Sequence, residues 1–178
     1  MYVNKLIAAL QRLHELLDKN YIGYIVVGGL ADHFLGISAA RPRDIDVLIS
    51  ARDVGKVSTL ISNEPGTSII MPIRYREGNR IRGLYGRFSL AGVIVDILAN
   101  IYLMHEGEWI PISYEDLLPC TLEVRAMNNV TVRIPCSEIQ LLADKALGRL
   151  ERAEILARLI DREGCGAKLS ACKFLEDA

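Results

Sequence analysis

One stretch ties this chain to a sheet-based fold with a ligand at its edge. A β-branched, apolar run from Tyr21 to Val27 closes on Gly28-Gly29, and a second apolar strand, Ile45 to Ile49, carries the acids of Asp44-Ile45-Asp46. Side chains alternate faces along a strand, so Asp44 and Asp46 point one way while Ile45 and Val47 point the other. Two carboxylates at that spacing repel each other, and each costs free energy to desolvate. A cation between them removes both penalties, and hard oxygen ligands on a rigid strand suit Mg²⁺. The plainer reading of a bare Asp-x-Asp is a solvated pair at a strand end, so the surroundings have to decide.

The chain has 178 residues, enough for one domain or for one core with a small helical appendage. Hydrophobic residues make up 51%, enough for a real core, and the formal charge of −1 gives no bulk attraction to nucleic acid or membrane. No apolar run approaches the roughly 18 residues of a spanning helix. The N-terminal segment places Leu6, Leu10, Leu13, Leu16 and Leu17 at helical spacing with charges between them, an amphipathic helix rather than a signal peptide. A cytoplasmic protein without a membrane partner is expected.

Cys120, Cys136, Cys165 and Cys172 lack metal-ligand spacing, so reduced thiols are the default. A hairpin turning at Met127-Asn128-Asn129 would nevertheless set Cys120 opposite Cys136, where a disulfide would point to a hyperthermophilic source. The excess of arginine over lysine leans the same way.

Along the chain, helix Val3–Lys19 is followed by strand Tyr21–Val27, a short helix Leu30–Leu35 and the strand Ile45–Ile49. A helix over Ala51–Ser62 leads into strands Ser68–Arg76 and Arg80–Leu90, which flank the turn Glu77-Gly78-Asn79. Val93–Leu98 is a further apolar strand containing one acid, Asp96, and 101–118 reads as irregular with a short strand near Trp109 and Ile110. The cysteine-flanked hairpin comes next, then one long helix from Ser137 to about Asp161 and a short one over Lys168–Glu176. This order predicts an α/β or α+β fold with a mixed β-sheet flanked by helices. It divides into a core with the N-terminal helix, residues 1–135, and a C-terminal helical extension, residues 136–178.

Three elements now converge. Gly28-Gly29 at a strand-to-helix junction lets backbone approach a ligand and offers free N–H groups to a phosphate. Asp44 and Asp46 follow on the next strand. Asp96 sits in an apolar strand, where a charge has to be paired or bind a metal, and an arginine partner competes with the metal reading.

This combination, from Tyr21 to Asn100, resembles the nucleotidyltransferase superfamily with the polymerase-β-like core, and is similar to its minimal, toxin–antitoxin-associated prokaryotic members. The resemblance implies that Gly28 and Gly29 hold a nucleoside triphosphate (ATP or another NTP). It implies that Asp44 and Asp46 bind two Mg²⁺ ions, and that Asp96 shares a metal and helps deprotonate the attacking hydroxyl. Lys145 and Arg149 match basic positions on the helix that follows such cores. Gly29 stands where Ser is frequent in the family, and Pro42-Arg43 stand where Ser or Thr often precedes the first acid. The implied reaction moves a nucleoside monophosphate from an NTP to a hydroxyl of a tRNA end, a protein or a small molecule such as an aminoglycoside. The competing reading is a weakly active or non-catalytic nucleotide-binding protein with a partner protein, such as one component of a toxin–antitoxin pair.

Arg41 and Arg43, just ahead of the acids, pair either with phosphates or with the acids themselves. In the hairpin, a turn at Gly78 would set Arg74 against Arg82 and Arg76 against Arg80, a phosphate- or RNA-contacting face with Arg87 close by, or simply a solvated one. His33 and His105 have no partner at useful spacing.

Overall fold

The computed structural model describes residues 2–126 and 130–163. Helix α1 (Tyr2–Asp18) precedes β1 (Tyr24–Val27), α2 (Gly28–Phe34) and β2 (Ile45–Ile49); a 3₁₀ turn at Ala51–Asp53 leads into α3 (Val54–Asn63). The middle of the chain is β3 (Thr67–Glu77), β4 (Ile81–Leu90), β5 (Val93–His105) and β6 (Glu108–Ile112). Helix α4 (Tyr114–Leu117), β7 (Thr121–Arg125), β8 (Thr131–Pro135), α5 (Ser137–Leu147) and α6 (Leu150–Glu163) complete it. No described helix is long and apolar enough to cross a membrane.

The main sheet runs β1-β2-β5-β4-β3, with β6 also pairing β5, and β7–β8 form a separate ribbon. It is mixed: β2 and β5 are parallel, while the other pairs are antiparallel. Parallel pairing follows from the long β2-to-β5 connection, which detours through α3 and the β3–β4 hairpin.

Alternation sorts the sheet into two faces. Ile45, Val47 and Ile49 of β2, with Val95 and Ile97 of β5 and Phe88 of β4, join Leu6, Leu10, Leu13 and Leu17 of α1 in the larger core. Leu48 and Leu98 point the other way and pack with Ile101, Leu103, Ile139 and Ala146 in a smaller core. Asp46 and Asp96 fall on this second face, two residues before Leu48 and Leu98.

Several expectations need correction. The region 101–118 is more regular than its composition suggests, because β5 continues to His105 and pairs with β6 through Ile101↔Ile112. The expected single helix from Ser137 breaks at Gly148, which caps α5 in the left-handed conformation at φ 72°; a glycine adopts that conformation without penalty. Arg74 faces Tyr85 and Arg76 faces Gly83, so the arginines of the hairpin do not oppose one another. Cys120 and Cys136 do lie opposite, joined by a backbone hydrogen bond of 2.9 Å. They form no disulfide with each other: Cys136 is a free buried thiol at the N-cap of α5, turned toward the backbone of Glu138 and Ile139. The turn at Met127–Asn129, Cys165, Cys172 and the expected helix 168–176 lie outside the described residues.

Candidate metal centre and anion cleft

Strand register builds the site. Val27 pairs with Asp46, Asp46 with Asp96 and Asp96 with Arg87, giving one row across four strands. Asp44 lies one residue before β2 and joins the row from the loop. The three aspartates each offer a carboxylate oxygen within 4.8 Å of the other two. Nearly fifty residues separate Asp46 from Asp96, and only the parallel pairing of β2 with β5 brings them side by side.

Such proximity has an electrostatic consequence. Burial, with added repulsion from Asp44 and Asp96, pushes the Asp46 carboxyl up to about 7 from 3.8. A divalent cation among the three would relieve that repulsion, and three hard oxygen donors with open space in front of them fit one such ion, Mg²⁺ in particular.

Asp96 is 3% exposed and already carries a partner. Arg87 Nε donates to its Oδ1 at 2.8 Å and Arg87 Nη2 to its Oδ2 at 2.7 Å, a bidentate fork. The metal and arginine alternatives are therefore compatible: each carboxylate oxygen accepts one guanidinium N–H and retains a further acceptor site for a cation. The fork also raises the Arg87 pKa, keeping it cationic. Beside it, burial and the facing Asp96 carboxylate hold the Tyr85 phenol above its ordinary range.

The acids open onto a cleft of about 560 Å³, lined by Gly29, Ala39, Arg41, Pro42, Arg43, Asp44, Asp46, Arg87, Asp96, Arg149 and Arg152. Five arginines thus face three aspartates, the balance expected of a place for a polyanion with its cation. Gly28 closes the site from behind at φ 65°, where a Cβ would stand 2.5 Å from Asp46 Oδ2. Glycine is demanded there twice, by the backbone and by the carboxylate. At Gly29 a Cβ would meet Arg152 Nη1 at 3.4 Å, a contact that the end of an arginine tolerates.

Two of the arginines, Arg149 from the α5–α6 turn and Arg152 from the first turn of α6, rest on a buried acidic base. Arg152 Nη1 donates to Asp32 Oδ2 at 3.1 Å, and Gln140 Nε2 donates to Asp32 Oδ1 at 2.8 Å and to the Gly28 carbonyl at 3.2 Å. Arg149 Nη1 reaches Asp144 Oδ1 at 3.4 Å, while the buried Asp144 Oδ2 has no hydrogen-bond partner among the described residues. Burial raises the pKa of both acids, that of Asp144 to about 6. The network joins α2, α5 and α6 directly behind the glycines.

Of the residues expected from sequence, Gly29, Arg41, Arg43, Asp44, Asp46, Asp96 and Arg149 line one cleft, with Gly28 against Asp46. Lys145 is not among them: it is exposed on α5, and the Gly148 break removes the shared helical face that linked it to Arg149. Sequence reasoning missed Arg152, Asp32, Asp144 and Gln140, and it did not pair Arg87 with Asp96. The available signal was an acid in each of two apolar helical stretches, Asp32 after Leu30-Ala31 and Asp144 after Leu141-Leu142-Ala143, since buried charge requires a partner.

No protein-family model matches the chain, and no curated protein matches it. Solved structures do. A presumed nucleotidyltransferase of Thermotoga maritima superposes with a TM-score of 0.69 at 20% identity, over 91% of this chain and 96% of that one. The antibiotic-resistance factor ANT(2'')-Ia superposes at 0.52 and 15% identity, over 92% of this chain and 95% of that one. With a mixed sheet, its flanking helices and a C-terminal helical extension, the chain has the nucleotidyltransferase fold, and an aspartate cluster fit for one divalent cation sits at the centre of its cleft.

Proposed function

We propose that this protein is a Mg²⁺-dependent nucleotidyltransferase that moves a nucleoside monophosphate from an NTP, ATP among them, to a hydroxyl acceptor. The observation that carries the reading is the row Asp46–Asp96–Arg87 with Asp44, opening on a cleft whose remaining charge is arginine. When bound, the metal supplies charge neutralisation at the phosphates and a lower pKa at the attacking hydroxyl. A pair of ions is part of the proposal; Asp44, Asp46 and Asp96 are the residues that would hold them.

The remaining work belongs to the chain's own side chains. Arg41, Arg43, Arg149 and Arg152 face the triphosphate, and Gly28-Gly29 let it approach the backbone. Arg87 holds the Asp96 carboxylate in one orientation, leaving an oxygen lone pair to take the acceptor proton. The acceptor oxygen forms a new bond to the α-phosphorus, the bond from the α-phosphorus to the bridging oxygen breaks, and pyrophosphate leaves with that electron pair. Arginine suits the leaving group because its fork matches phosphate oxygens two at a time.

Incubation with α-labelled NTPs, Mg²⁺ and separate RNA, protein and small-molecule fractions tests the reading. Label transferred by the native protein and lost in Asp46→Asn supports it. No transfer with any NTP, together with no heat of Mg·NTP binding in calorimetry, defeats it. One observation favours a second reading, that of a weakly active nucleotide-binding protein: Arg87 already neutralises Asp96 without a cation. Calorimetric binding of Mg·NTP with no transfer to any fraction would select it.

A further inference from the structure

The sheet face that carries the acids is hollowed all the way to the β3–β4 hairpin. A cavity of about 100 Å³ shares Asp46 and Arg149 with the cleft, and shares Ile81, Leu98 and Ile101 with a hollow of about 230 Å³ at the hairpin. Those three apolar residues form a common floor. Tyr85 lines the hairpin hollow as well, level with Leu98 across the strand pair.

The rim of this groove is cationic. Directly opposed residues in a strand pair share a face, so Arg74 stands with Tyr85, and Arg76 with Gly83 one pleat further on. Both are exposed. At the end of the hairpin Arg80 reaches across to α5, where a Cβ on Gly148 would overlap its guanidinium, one residue from Arg149. Arg82 also lines the hairpin hollow, its guanidinium stacked over Tyr102 at 5.0 Å and Trp109 at 4.3 Å. Among the described residues, none of Arg74, Arg76 and Arg80 forms an ion pair with a carboxylate. Exposed guanidinium groups recurring along one face offer a polyanion successive contacts.

We propose that this groove binds a single-stranded polynucleotide and delivers its terminal hydroxyl to the aspartates. The polymer's chemistry fits both surfaces. Phosphates recur along its backbone, where Arg74, Arg76 and Arg80 recur along the rim, and its flat bases suit the apolar floor with Tyr85. A polycationic acceptor would meet the arginines first and be repelled. This acceptor assignment rests on the nucleotidyl-transfer reading, whereas strand binding does not, so the two are measured apart.

The test is fluorescence anisotropy of the full-length chain with a 5′-labelled, mixed-sequence 12-nucleotide RNA, titrated at several salt concentrations. Three phosphate contacts predict a log–log salt slope of about −2, or roughly a 20-fold loss of affinity between 50 and 200 mM salt. The double substitution Arg74→Ala and Arg76→Ala should cut the slope to below about half and weaken binding about tenfold near 100 mM salt. Neither arginine lines the cleft, so calorimetric binding of Mg·ATP should be unchanged, which also shows that the variant is folded. Loss of label transfer to RNA in that variant, with Mg·ATP binding intact, supports the acceptor assignment. Absence of RNA binding at 50 mM salt overturns the proposal while leaving the nucleotidyl-transfer reading to its own assay. Equal affinity for a poly-glutamate peptide, which has charge without bases, overturns it in favour of an acidic protein partner.

Discussion

Asp46 links the stability of the protein to pH and to divalent cation, in a direction opposite to that of most carboxylates. Its carboxyl titrates near 7 in the fold against 3.8 as the ordinary value. Between those values the folded state binds more protons than the unfolded one, so stability falls as pH rises through the window and levels off above it. A shift of about three units at 1.36 kcal/mol each bounds the effect on the order of 4 kcal/mol, and solvent at the mouth of the cleft screens it below that. The assay is thermal unfolding in EDTA from pH 4.5 to 8.5, repeated with 10 mM Mg²⁺. For a chain of this size each kcal/mol moves Tm by about 2–4 °C, so the apo protein should lose about 5–10 °C across the range. Mg²⁺ should restore most of that at pH 8 and almost none at pH 5, where a proton already occupies Asp46. Asp46→Asn should flatten the pH profile, raise the apo Tm at pH 8 and abolish the response to Mg²⁺. The reasoning is refuted if native protein and Asp46→Asn share the same slope, or if Asp46→Asn lowers the apo Tm at pH 8.

Other substitutions follow from the same geometry. Gly28→Ala places a methyl group against Asp46 Oδ2 at a φ of 65°; it should cost about 1–2 kcal/mol by urea unfolding and weaken Mg²⁺ binding in calorimetry, whereas Gly29→Ala should do neither. Arg87→Ala leaves Asp96 buried and unpaired and should cost about 3 kcal/mol in EDTA, part of which Mg²⁺ should return, since a cation can neutralise the same carboxylate. Arg152→Ala strands the buried Asp32 and should cost about 3 kcal/mol; adding Asp32→Asn should recover at least half of that, and no recovery would show that the pair carries little of the effect.

Much of the site is legible before folding because strand chemistry is local. Asp44-Ile45-Asp46 announces two acids on one face, and Gly28-Gly29 announces backbone meant to be approached. Asp96 stands out because an apolar strand gives a lone acid no ordinary reason to be there. The helix break at Gly148 is less legible: one glycine in a helix costs only about 1 kcal/mol, so apolar periodicity running through it reads as continuous. The hairpin register is not legible for a related reason, since a turn motif fixes strand pairing only to within a residue or two and a slip exchanges every partner.

The sequence by itself determined most of the strands and helices, which side chains share a face within each, and that at least three carboxylates need a counter-charge. The tertiary structure alone decided who answers that need. Parallel pairing of β2 and β5 is what makes Asp46 and Asp96 neighbours, and antiparallel pairing of β4 and β5 is what gives Asp96 its arginine. The turn at Gly148 then sets Arg149 and Arg152 at the same cleft, over two buried acids that no local pattern connects to them. Faces and periods are properties of one segment, whereas charge compensation in a buried site joins distant segments, and only packing selects the partner.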